Sequence, residues 1–379
     1  MFKLKTAPVL TALIVLAGIL GACATPAATP AAQPTAAPGA QVAQSTPAPQ
    51  AGSLVINGAG ATFPFPLYSR WFYEYAFVDP AVKFNYQSIG SGGGIAQITA
   101  KTVDFGASDA ILTDDQLNAA PGLQMFPSVA GAEVLAYNLI GDDGKPITAT
   151  LKFPYTSVAD IYLGKIKKWN DPVIAQANPD IKLPAKDIVL VHRSDGSGTT
   201  YIFTGYLSKV SPEWKAQVGN STSVKWPGGL GGKGNEGVSG TVAQNDGGLG
   251  YVELAYALQN KLPYGIPQNK AGAYTDPKDP TVVQNAMADF GTDMGDKLAI
   301  SIVDAPGKQS YPIAGYTYLL FYMDSQDCAK AQKLAAFYKW AQSDGRKDAA
   351  DLLYIPLPDA VKAQALAKLS KMTCNGKPL

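Results

Sequence analysis

From Ser53 onwards, short apolar runs alternate with segments rich in glycine, proline and hydroxyl residues. Such runs predict β-strands, and apolar residues that recur every three or four positions predict helices between them. Strands that alternate with helices are typical of an α/β fold. The predicted strands are LVINGAG, VKFNYQSIG, TVDFGASD, EVLAYNLI, DIVLVHRS, LGYVEL, LAISIV and YTYLLFYM. The predicted helices cover residues 65–75, 157–163, 200–209, 329–343 and 359–372.

The chain begins with the pattern of a secretory signal. Lys3 and Lys5 precede an uncharged, largely apolar run over residues 6–20, which is too short for a comfortable membrane span. The tetrad LGAC that follows resembles the bacterial lipobox, whose cysteine is lipidated. We therefore expect residues 1–22 to be a signal peptide and Cys23 to be a lipid anchor. In the alternative, Cys23 is an ordinary apolar residue of a discarded peptide.

We expect residues 23–52 to form a lipid-anchored linker, because they are rich in proline and alanine. Residues 24–50 include no charged and no aromatic residue. Repeated prolines favour extended polyproline II conformations, so such a segment holds a folded part away from a membrane. The sequence predicts an exported protein, anchored by lipid to the outer face of the cytoplasmic membrane, in the periplasm or at the cell surface.

The charge balance excludes some classes of partner. Lysine and arginine number 31 against 30 aspartates and glutamates, so there is no basic field for nucleic acid. His192 is the only histidine, and no cysteine or carboxylate cluster has metal-ligand spacing, so we expect neither a metal nor a cofactor. The length beyond the linker suggests about two domains.

Two cysteines remain after Cys23 is assigned to the anchor. Cys328 and Cys374 lie near the C-terminus of a chain that has left the reducing cytosol, so we predict a disulfide between them. The alternative is two unpaired thiols, because spacing alone cannot show that the two Cβ atoms approach one another.

Glycine and hydroxyl residues cluster in three turns, each after a predicted strand: GAGATFP at 58–64, GSGGG at 90–94 and DGSGTT at 195–200. A helix N-terminus presents unpaired N–H groups, glycine allows close approach of a ligand, and Ser or Thr adds a hydroxyl donor. Converging turns of this kind would bind an anion, although each alone could be an ordinary helix cap. GGLGGKG at 228–234 lacks the Ser or Thr that a P-loop needs after its lysine, so we do not interpret it as a nucleotide site.

Arg193 and Asp195 lie two residues apart, which places both side chains on one face of an extended strand. An arginine held by its own aspartate presents a rigid fork of donors to an anion. In the alternative, the two form a surface ion pair of little energetic value.

Asp109, in the run DFGASD, is unusual near an anion because a carboxylate repels it unless a proton lies between them. Phosphate carries such a proton at neutral pH and sulfate does not. An ionised Asp109 would therefore accept a hydrogen bond from phosphate and exclude sulfate, and a missing hydrogen bond can discriminate by about 10⁴ to 10⁵. In the alternative, Asp109 is a helix N-cap.

Several long strings are more specific than the glycine turns: TVDFGASDA, DIYLGKIKKWNDP, DGSGTTYIFTGYL, VKWPGGLGGKGNEGV, GYVELAYA, LPDAV and NGKPL. With them the chain resembles, from about Leu54 to Leu379, the phosphate-binding proteins of bacterial phosphate ABC transporters, the PstS family. The resemblance implies high-affinity capture of inorganic phosphate by a monomer and its delivery to the permease subunits of the importer.

The resemblance also implies a ligand set. Thr62, Phe63 and Ser91 would donate to phosphate, Asp109 would accept its proton, and Asp195 would hold the arginine. The residues that would bind phosphate are Thr62, Phe63, Ser91, Asp109, Arg193, Ser197, Gly198 and Thr199.

The fold that the resemblance implies is a type II periplasmic-binding fold, with two α/β lobes and the ligand in the cleft between them. We expect residues 53–132 and 313–379 to form discontinuous lobe I and residues 133–312 to form lobe II. The two crossing segments would lie near residues 129–137 and 309–317.

Two other classes of function stay open at this point. An enzyme could use Ser197 or Ser91 as a nucleophile, but neither lies in a G-x-S-x-G elbow. The side chain of His192 is expected on the opposite face of the strand from that of Arg193, so no general base for a catalytic triad is evident. No catalytic residue is predicted. The other class is an adhesion or signalling protein that has kept the fold and changed its task.

Overall fold

The computed structural model describes residues 53–379. The predicted signal peptide, residues 1–22, and the linker, residues 23–52 with Cys23, lie outside the described residues. None of the helices within 53–379 is long and apolar enough to cross a membrane.

Most of the strands are short, and β4 is the longest with 16 residues. The strands are β1 (Leu54–Gly60), β2 (Val82–Ser88), β3 (Phe105–Ser108), β4 (Leu123–Asn138), β5 (Leu151–Phe153), β6 (Val189–Arg193), β7 (Leu230–Gly232), β8 (Gly248–Glu253), β9 (Tyr264–Pro267), β10 (Ala314–Tyr322), β11 (Asp324–Ser325), β12 (Ile355–Pro356), β13 (Thr373–Cys374) and β14 (Lys377–Pro378).

The helices lie between these strands and cover the sheet. They are α1 (Phe65–Val78), α2 (Ser91–Thr99), α3 (Asp114–Ala119), α4 (Ser157–Tyr162), α5 (Pro172–Ala177), α6 (Gly198–Val210), α7 (Pro212–Gln217), α8 (Gly234–Gln244), α9 (Leu254–Gln259), α10 (Pro280–Asp289), α11 (Cys328–Ala341), α12 (Arg346–Asp351) and α13 (Asp359–Leu369).

The large sheet has the strand order β2-β1-β3-β10-β4-β8-β6-β7. β1 pairs in parallel with β2 and β3, and β6 pairs in parallel with β7 and β8. β4 and β10 are antiparallel to each other in the middle of the order. We call β1, β2, β3 and β10 the first half of the sheet, and β5 to β9 the second half.

Strand β4 belongs to both halves. Up to Ala132 it pairs with β10, and from Glu133 it pairs with β8. At this point the Glu133 N–H donates to Ile313 just before β10, at 2.9 Å. All but the last residue of β4 are buried, as expected for a strand with elements packed on both faces. The lobe boundaries predicted above stay predictions.

Each half has its own aromatic core. In the first half, Phe337 of α11 packs on Phe84 of β2 with ring centroids 4.5 Å apart. In the second half, Phe203 of α6 stacks on Tyr251 of β8 at 4.1 Å. Aromatic side chains bury much apolar area per residue, so these clusters fix each group of helices on its part of the sheet.

One strand prediction is wrong in part and another is wrong altogether. EVLAYNLI was predicted to be a whole strand, but β4 begins ten residues earlier, at Leu123. LAISIV, residues 298–303, forms no strand, and Leu298 has a φ of 53°. Side chains bind its carbonyl oxygens instead of a neighbouring strand: Tyr318 donates to Ile300 and Lys209 donates to Val303. The run is apolar because it is a packed loop, with Ile302 and Val303 buried.

Cys328 and Cys374 form a disulfide, with their Cα atoms 5.4 Å apart. Cys328 is the first residue of α11 and Cys374 belongs to β13. The bond therefore ties the C-terminal hairpin of β13 and β14 to the start of a long helix of the first half.

Candidate anion-binding site

The predicted site residues lie at the carboxyl ends of parallel strands. GAGATFP begins in the last residues of β1 and continues beyond it. GSGGG follows β2, Asp109 directly follows β3, and DGSGTT follows β6. In open α/β sheets, ligands bind outside the carboxyl ends of the strands. The topology therefore brings together three glycine turns that are far apart in the sequence.

The first turn presents Thr62 and Phe63 before α1. Both residues are buried. Tyr256 donates to the Thr62 carbonyl oxygen at 2.6 Å, and Tyr354 donates to the Phe63 carbonyl oxygen at 2.7 Å. Each tyrosine fixes one peptide plane, so the turn has a set orientation towards the site.

The second turn places Ser91 against Asp109. Ser91 is the first residue of α2, and Gly90 before it has a φ of 87°, a conformation that favours glycine. The Asp109 N–H donates to Ser91 Oγ at 3.2 Å, and Ser91 Oγ lies 3.4 Å from Asp109 Oδ2. Because α3 begins at Asp114 and is capped by Thr113, Asp109 is not a helix N-cap.

The Asp109 carboxylate is almost fully buried, with 2% of the residue exposed. Burial raises the pKa of Asp109 to about 7. Three smaller effects favour its ionised form: a hydrogen bond from Thr317 at 2.7 Å, the charge of Arg193 and the hydroxyl of Ser91. Near neutral pH, Asp109 therefore exists in both protonation states and can accept or donate one hydrogen bond.

Arg193 and Asp195 form the predicted pair. Arg193 Nε donates to Asp195 Oδ1 at 2.8 Å, and Nη2 donates to Oδ2 at 2.6 Å. Only 1% of the Arg193 side chain is exposed, so this is not a surface ion pair. Burial opposes ionisation of Asp195, but the hydrogen bond and charge of Arg193 outweigh it and lower the pKa of Asp195. The Gly234 N–H also donates to Asp195, at 3.0 Å.

The third turn leads into α6, which begins at Gly198. Ser197 is its N-cap, and Ser197 Oγ accepts from the Thr200 N–H at 3.0 Å. This contact leaves the Ser197 hydroxyl proton for another acceptor. The first N–H groups of a helix have no acceptor within it, so those of Gly198 and Thr199 are suited to an anion.

The two halves of the sheet touch at these turns. The Gly92 N–H of α2 donates to the Gly196 carbonyl oxygen at 2.9 Å. A Cβ atom on Gly198 would overlap Asp109 and the Ser91 hydroxyl, so only glycine allows this approach. The start of α6 therefore lies directly against the acid of the other half.

Sequence reasoning missed two residues of this site. Thr317 of β10 donates to Asp109, and nothing in its local sequence marks it. Asn235 of α8 is fully buried and contacts both Thr62 and Thr199. A signal for Asn235 was available, because GGKGNE follows β7 and opens α8, as the other glycine turns follow strands and open helices.

A second pair of acids lies next to the site. Glu133 of β4 and Glu253 of β8 are directly opposite in the ladder and fully buried. Within residues 53–379, both carboxyl oxygens of Glu133 and Oε1 of Glu253 have no hydrogen-bond partner. Burial raises the pKa of each glutamate well above its usual value, and the charge of Asp109 raises it further. Both effects favour the protonated form of each glutamate.

The candidate nucleophiles of an enzyme have other contacts. Ser197 caps α6, and Ser91 contacts Asp109. The His192 ring stacks on Trp226 with centroids 4.8 Å apart, and its Nδ1 lies 2.9 Å from the Arg193 carbonyl oxygen. Within residues 53–379, no group of three or more His, Cys, Asp or Glu side chains could hold a metal ion.

The arrangement combines several donors, one held cation and the acid Asp109 where the turns of the two halves meet. The donors and Arg193 suit an oxyanion. Asp109 repels an anion when it is ionised unless that anion carries a proton, so the site favours an oxyanion with an O–H group.

Comparison with known proteins gives relatives across most of the chain. The model of the PBP superfamily domain matches residues 29–345. The phosphate-binding protein PstS of Xylella fastidiosa (strain 9a5c) is 48% identical over 312 residues, 82% of this chain and 84% of that protein. The phosphate-binding protein PstS of Haemophilus influenzae is 45% identical over 82% of this chain and 91% of that protein. PstS of Methanocaldococcus jannaschii is 35% identical over 78% and 80%, respectively.

Solved structures show the same fold. The ancestral soluble variant of the human phosphate binding protein has a TM-score of 0.67 at 20% identity, over 86% of this chain and 99% of that one. A high-affinity periplasmic phosphate-binding protein, solved with phosphate bound, has a TM-score of 0.61 at 21% identity, over 83% and 93%. The predicted two-lobed periplasmic-binding fold is confirmed. With the superfamily match and 48% identity to a curated relative, this chain belongs to the PstS family of phosphate-binding proteins.

Proposed function

We propose that this protein binds one inorganic phosphate ion in the cleft between its lobes and delivers it to the permease subunits of an ABC-type importer. The observation that carries the proposal is that the site contains both a buried acid, Asp109, whose pKa burial raises to about 7, and a buried arginine, Arg193, that is held by its own aspartate. A cation attracts every oxyanion. The acid selects those that carry a proton.

The proposed ligands act in three ways. Arg193 supplies the charge, and Asp195 fixes the direction of its fork. Asp109 shares a proton with the phosphate. The remaining residues donate hydrogen bonds from backbone N–H groups or hydroxyls: Thr62, Phe63, Ser91, Ser197, Gly198 and Thr199.

A shared proton explains why a carboxylate with a pKa near 7 suits this task. An ionised Asp109 accepts a hydrogen bond from a P–OH group, and a protonated Asp109 donates one to an unprotonated phosphate oxygen. Either combination places one proton between the two groups. Sulfate stays fully ionised at neutral pH and can use only the protonated form of Asp109.

The arrangement of the chain supports reversible capture between two lobes. We propose lobe I as residues 53–132 and 313–379, and lobe II as residues 133–312. The change of partner along β4 after Ala132 supports the first of these boundaries. Proteins of this architecture close around ligands by hinge motion at such crossing segments.

We also propose that the protein is exported and tethered as a monomer by a lipid on Cys23, with residues 23–52 as the spacer. The proposal is supported by the signal-like N-terminus and by the charge-free linker composition. Mass spectrometry of the mature N-terminus tests it. A lipid-modified Cys23 is expected, and an unmodified terminus downstream of Cys23 would rule out the anchor.

We propose no catalytic role. The Ser197 oxygen caps a helix, and the His192 ring packs on Trp226. Hydrolysis of a chromogenic phosphate ester is expected to stay at background. Activity that is abolished by Ser197→Ala would contradict this part of the proposal.

Phosphate uptake by cells tests the delivery role. Cells that lack the gene should take up labelled phosphate more slowly at low external phosphate. Wild-type protein should restore the rate and Arg193→Gln should not. If the purified protein binds phosphate while deletion leaves uptake unchanged, the delivery role is wrong and an adhesion or signalling role gains support.

A further inference from the structure

We infer that Asn235 is a positioning residue that turns the hydroxyl protons of Thr62 and Thr199 towards the bound anion. The inference rests on the proposed phosphate site and deepens it. Asn235 is the second residue of α8 and is fully buried. Its contacts reach both halves of the sheet, because Thr62 follows β1 and Thr199 follows β6.

The Asn235 side chain uses both of its N–H groups on these hydroxyls. Nδ2 lies 2.8 Å from Thr62 Oγ1 and 3.0 Å from Thr199 Oγ1. The Asn235 backbone N–H also donates to Thr62 Oγ1, at 3.2 Å. An amide nitrogen has two hydrogens, so each threonine receives one of them.

The orientation of the amide is fixed by its other end. Asn235 Oδ1 accepts from the Glu253 backbone N–H at 3.0 Å. A backbone N–H can only donate, so the oxygen must face Glu253 and the nitrogen must face the two threonines. Asn235 cannot accept a hydrogen bond from either hydroxyl in this orientation.

The Oγ1 atom of each threonine therefore accepts two hydrogen bonds. Thr62 Oγ1 accepts from the backbone and the side chain of Asn235. Thr199 Oγ1 accepts from Asn235 and from Arg193 Nη1, the latter at 3.2 Å. A hydroxyl oxygen has two lone pairs and one proton. With both lone pairs in use, the proton must point away from these donors.

In the proposed site Thr62 and Thr199 are ligands, so the anion is the acceptor for these two protons. Arg193 and Asn235 approach Thr199 from the protein, and Arg193 is the cation of the proposed site. Two hydroxyl groups that could rotate are thus held as donors, and the protein bears the cost of ordering them before the anion arrives. Such preorganisation should appear in the affinity for phosphate.

A double-mutant cycle tests this inference on the purified full chain, with calorimetric titration of inorganic phosphate at pH 8. Asn235→Ala removes the two side-chain donors and should weaken binding roughly tenfold or more, as expected for the loss of a buried hydrogen-bond partner. In a Thr62→Val, Thr199→Val background, the same Asn235→Ala change should weaken binding less than threefold, because there are no hydroxyls left to orient. Equal effects of Asn235→Ala in both backgrounds would overturn the inference.

Asn235→Asp offers a second variant in case the alanine variant folds poorly. A carboxylate of nearly the same shape accepts from both hydroxyls and turns their protons away from the ligand. Phosphate binding should weaken more in Asn235→Asp than in Asn235→Ala, although the shape is kept. An aspartate variant that binds as tightly as wild type would contradict the inference.

Asn269→Ala is the matched control. Asn269 is also buried and fully hydrogen-bonded, but to a loop of the second half, with Nδ2 2.9 Å from the Lys308 carbonyl oxygen. It should lower the melting temperature without changing the phosphate affinity. Wild-type protein that binds no phosphate would refute the proposed function itself. If the wild-type protein binds phosphate and Asn235→Ala binds it with the same affinity, only the inference is refuted.

Discussion

Two aspartates of the same cleft have opposite electrostatic properties. Asp195, in the second half of the sheet, receives two hydrogen bonds from Arg193 and one from the Gly234 N–H, and its pKa is lowered. Asp109, in the first half, is more deeply buried and receives a close hydrogen bond from Thr317, and burial raises its pKa to about 7. The carboxylate of Asp195 therefore stays ionised, whereas that of Asp109 can take up and release a proton near neutral pH.

The difference follows from the donors that each carboxylate receives. A guanidinium fork stabilises a charge more than a neutral hydroxyl does, so only Asp195 keeps its charge against desolvation. One aspartate orients the cation, and the other has a proton to share with the ligand. Each of the following predictions changes one side of this comparison.

Arg193→Gln should have the largest effect. It removes the cation from the cleft and leaves Asp195 buried without its partner, which typically costs several kcal/mol. Phosphate binding should weaken by about two to three orders of magnitude in calorimetric titration. Arg70→Gln, at an exposed arginine of α1, is the control and should bind as wild type does. Binding by Arg193→Gln within fivefold of wild type would exclude Arg193 as the anion's cation.

Asp109→Asn should reduce the selectivity for phosphate over sulfate. The amide removes the repulsive charge and can donate to sulfate through its N–H group. At pH 8, where most Asp109 is ionised, the selectivity for phosphate over sulfate should fall by about tenfold or more. Asp104→Asn provides the control, because Asp104 lies at the other end of the same segment and pairs with Lys330. An unchanged ratio in Asp109→Asn would show that Asp109 does not determine the selectivity between the two anions.

The affinity for sulfate should depend on pH in the wild-type protein. As the pH falls from 8 through about 7, Asp109 takes up a proton and becomes a donor that sulfate can use. The sulfate affinity should rise by up to tenfold per pH unit and level off near pH 6, while Asp109→Asn should show no such rise. Titrations with sulfate between pH 8 and 5.5 measure this. A flat profile in the wild type would mean that Asp109 does not titrate in this range.

A further effect concerns stability and extends the comparison to Glu133, a buried acid whose carboxyl oxygens receive no hydrogen bond within residues 53–379. The pKa of Glu133 is raised well above its usual 4.5 by burial. The folded state therefore holds a proton that the unfolded state loses above about pH 4.5, so the wild type loses stability as the pH rises towards the raised value. Glu133→Gln resembles the protonated glutamate and lacks this loss.

The free energy of unfolding of Glu133→Gln should therefore exceed that of the wild type by an amount that grows with pH. The growth should be up to about 1.4 kcal/mol per pH unit above pH 4.5. Urea unfolding at pH 5, 6.5 and 8 measures it, with Glu74→Gln on the surface of α1 as the control. A difference that does not change with pH would show that Glu133 is ionised in the folded state.

The local part of the fold could be predicted from the sequence, since strands β1, β2 and β8 have clear apolar runs with turn residues at their ends. The first ten residues of β4 were missed because a strand buried on both faces shows no alternation of polar and apolar positions. LAISIV was mistaken for a strand for a related reason, since burial in a packed loop also produces a continuous apolar run.

Contacts in the site differ in the same way: a local contact could be predicted from the sequence, and contacts between distant segments could not. The pairing of Arg193 with Asp195 could be predicted because the two residues are only two positions apart, at the end of β6. Thr317 could not, because it reaches Asp109 across the antiparallel contact of β10 and β3, and no local pattern reports such a contact. Asn235 reaches Thr62 over an interval of 173 residues, although its glycine turn was visible.

The most direct test of the central claim is calorimetric titration of the purified protein, stripped of bound anion, with phosphate and then with sulfate at pH 8. At this pH Asp109 is mostly ionised, so the anion that brings its own proton should bind more tightly. One phosphate per chain is expected, with sulfate binding weaker by about tenfold or more. Comparable binding of both anions, or of neither, would contradict the central claim.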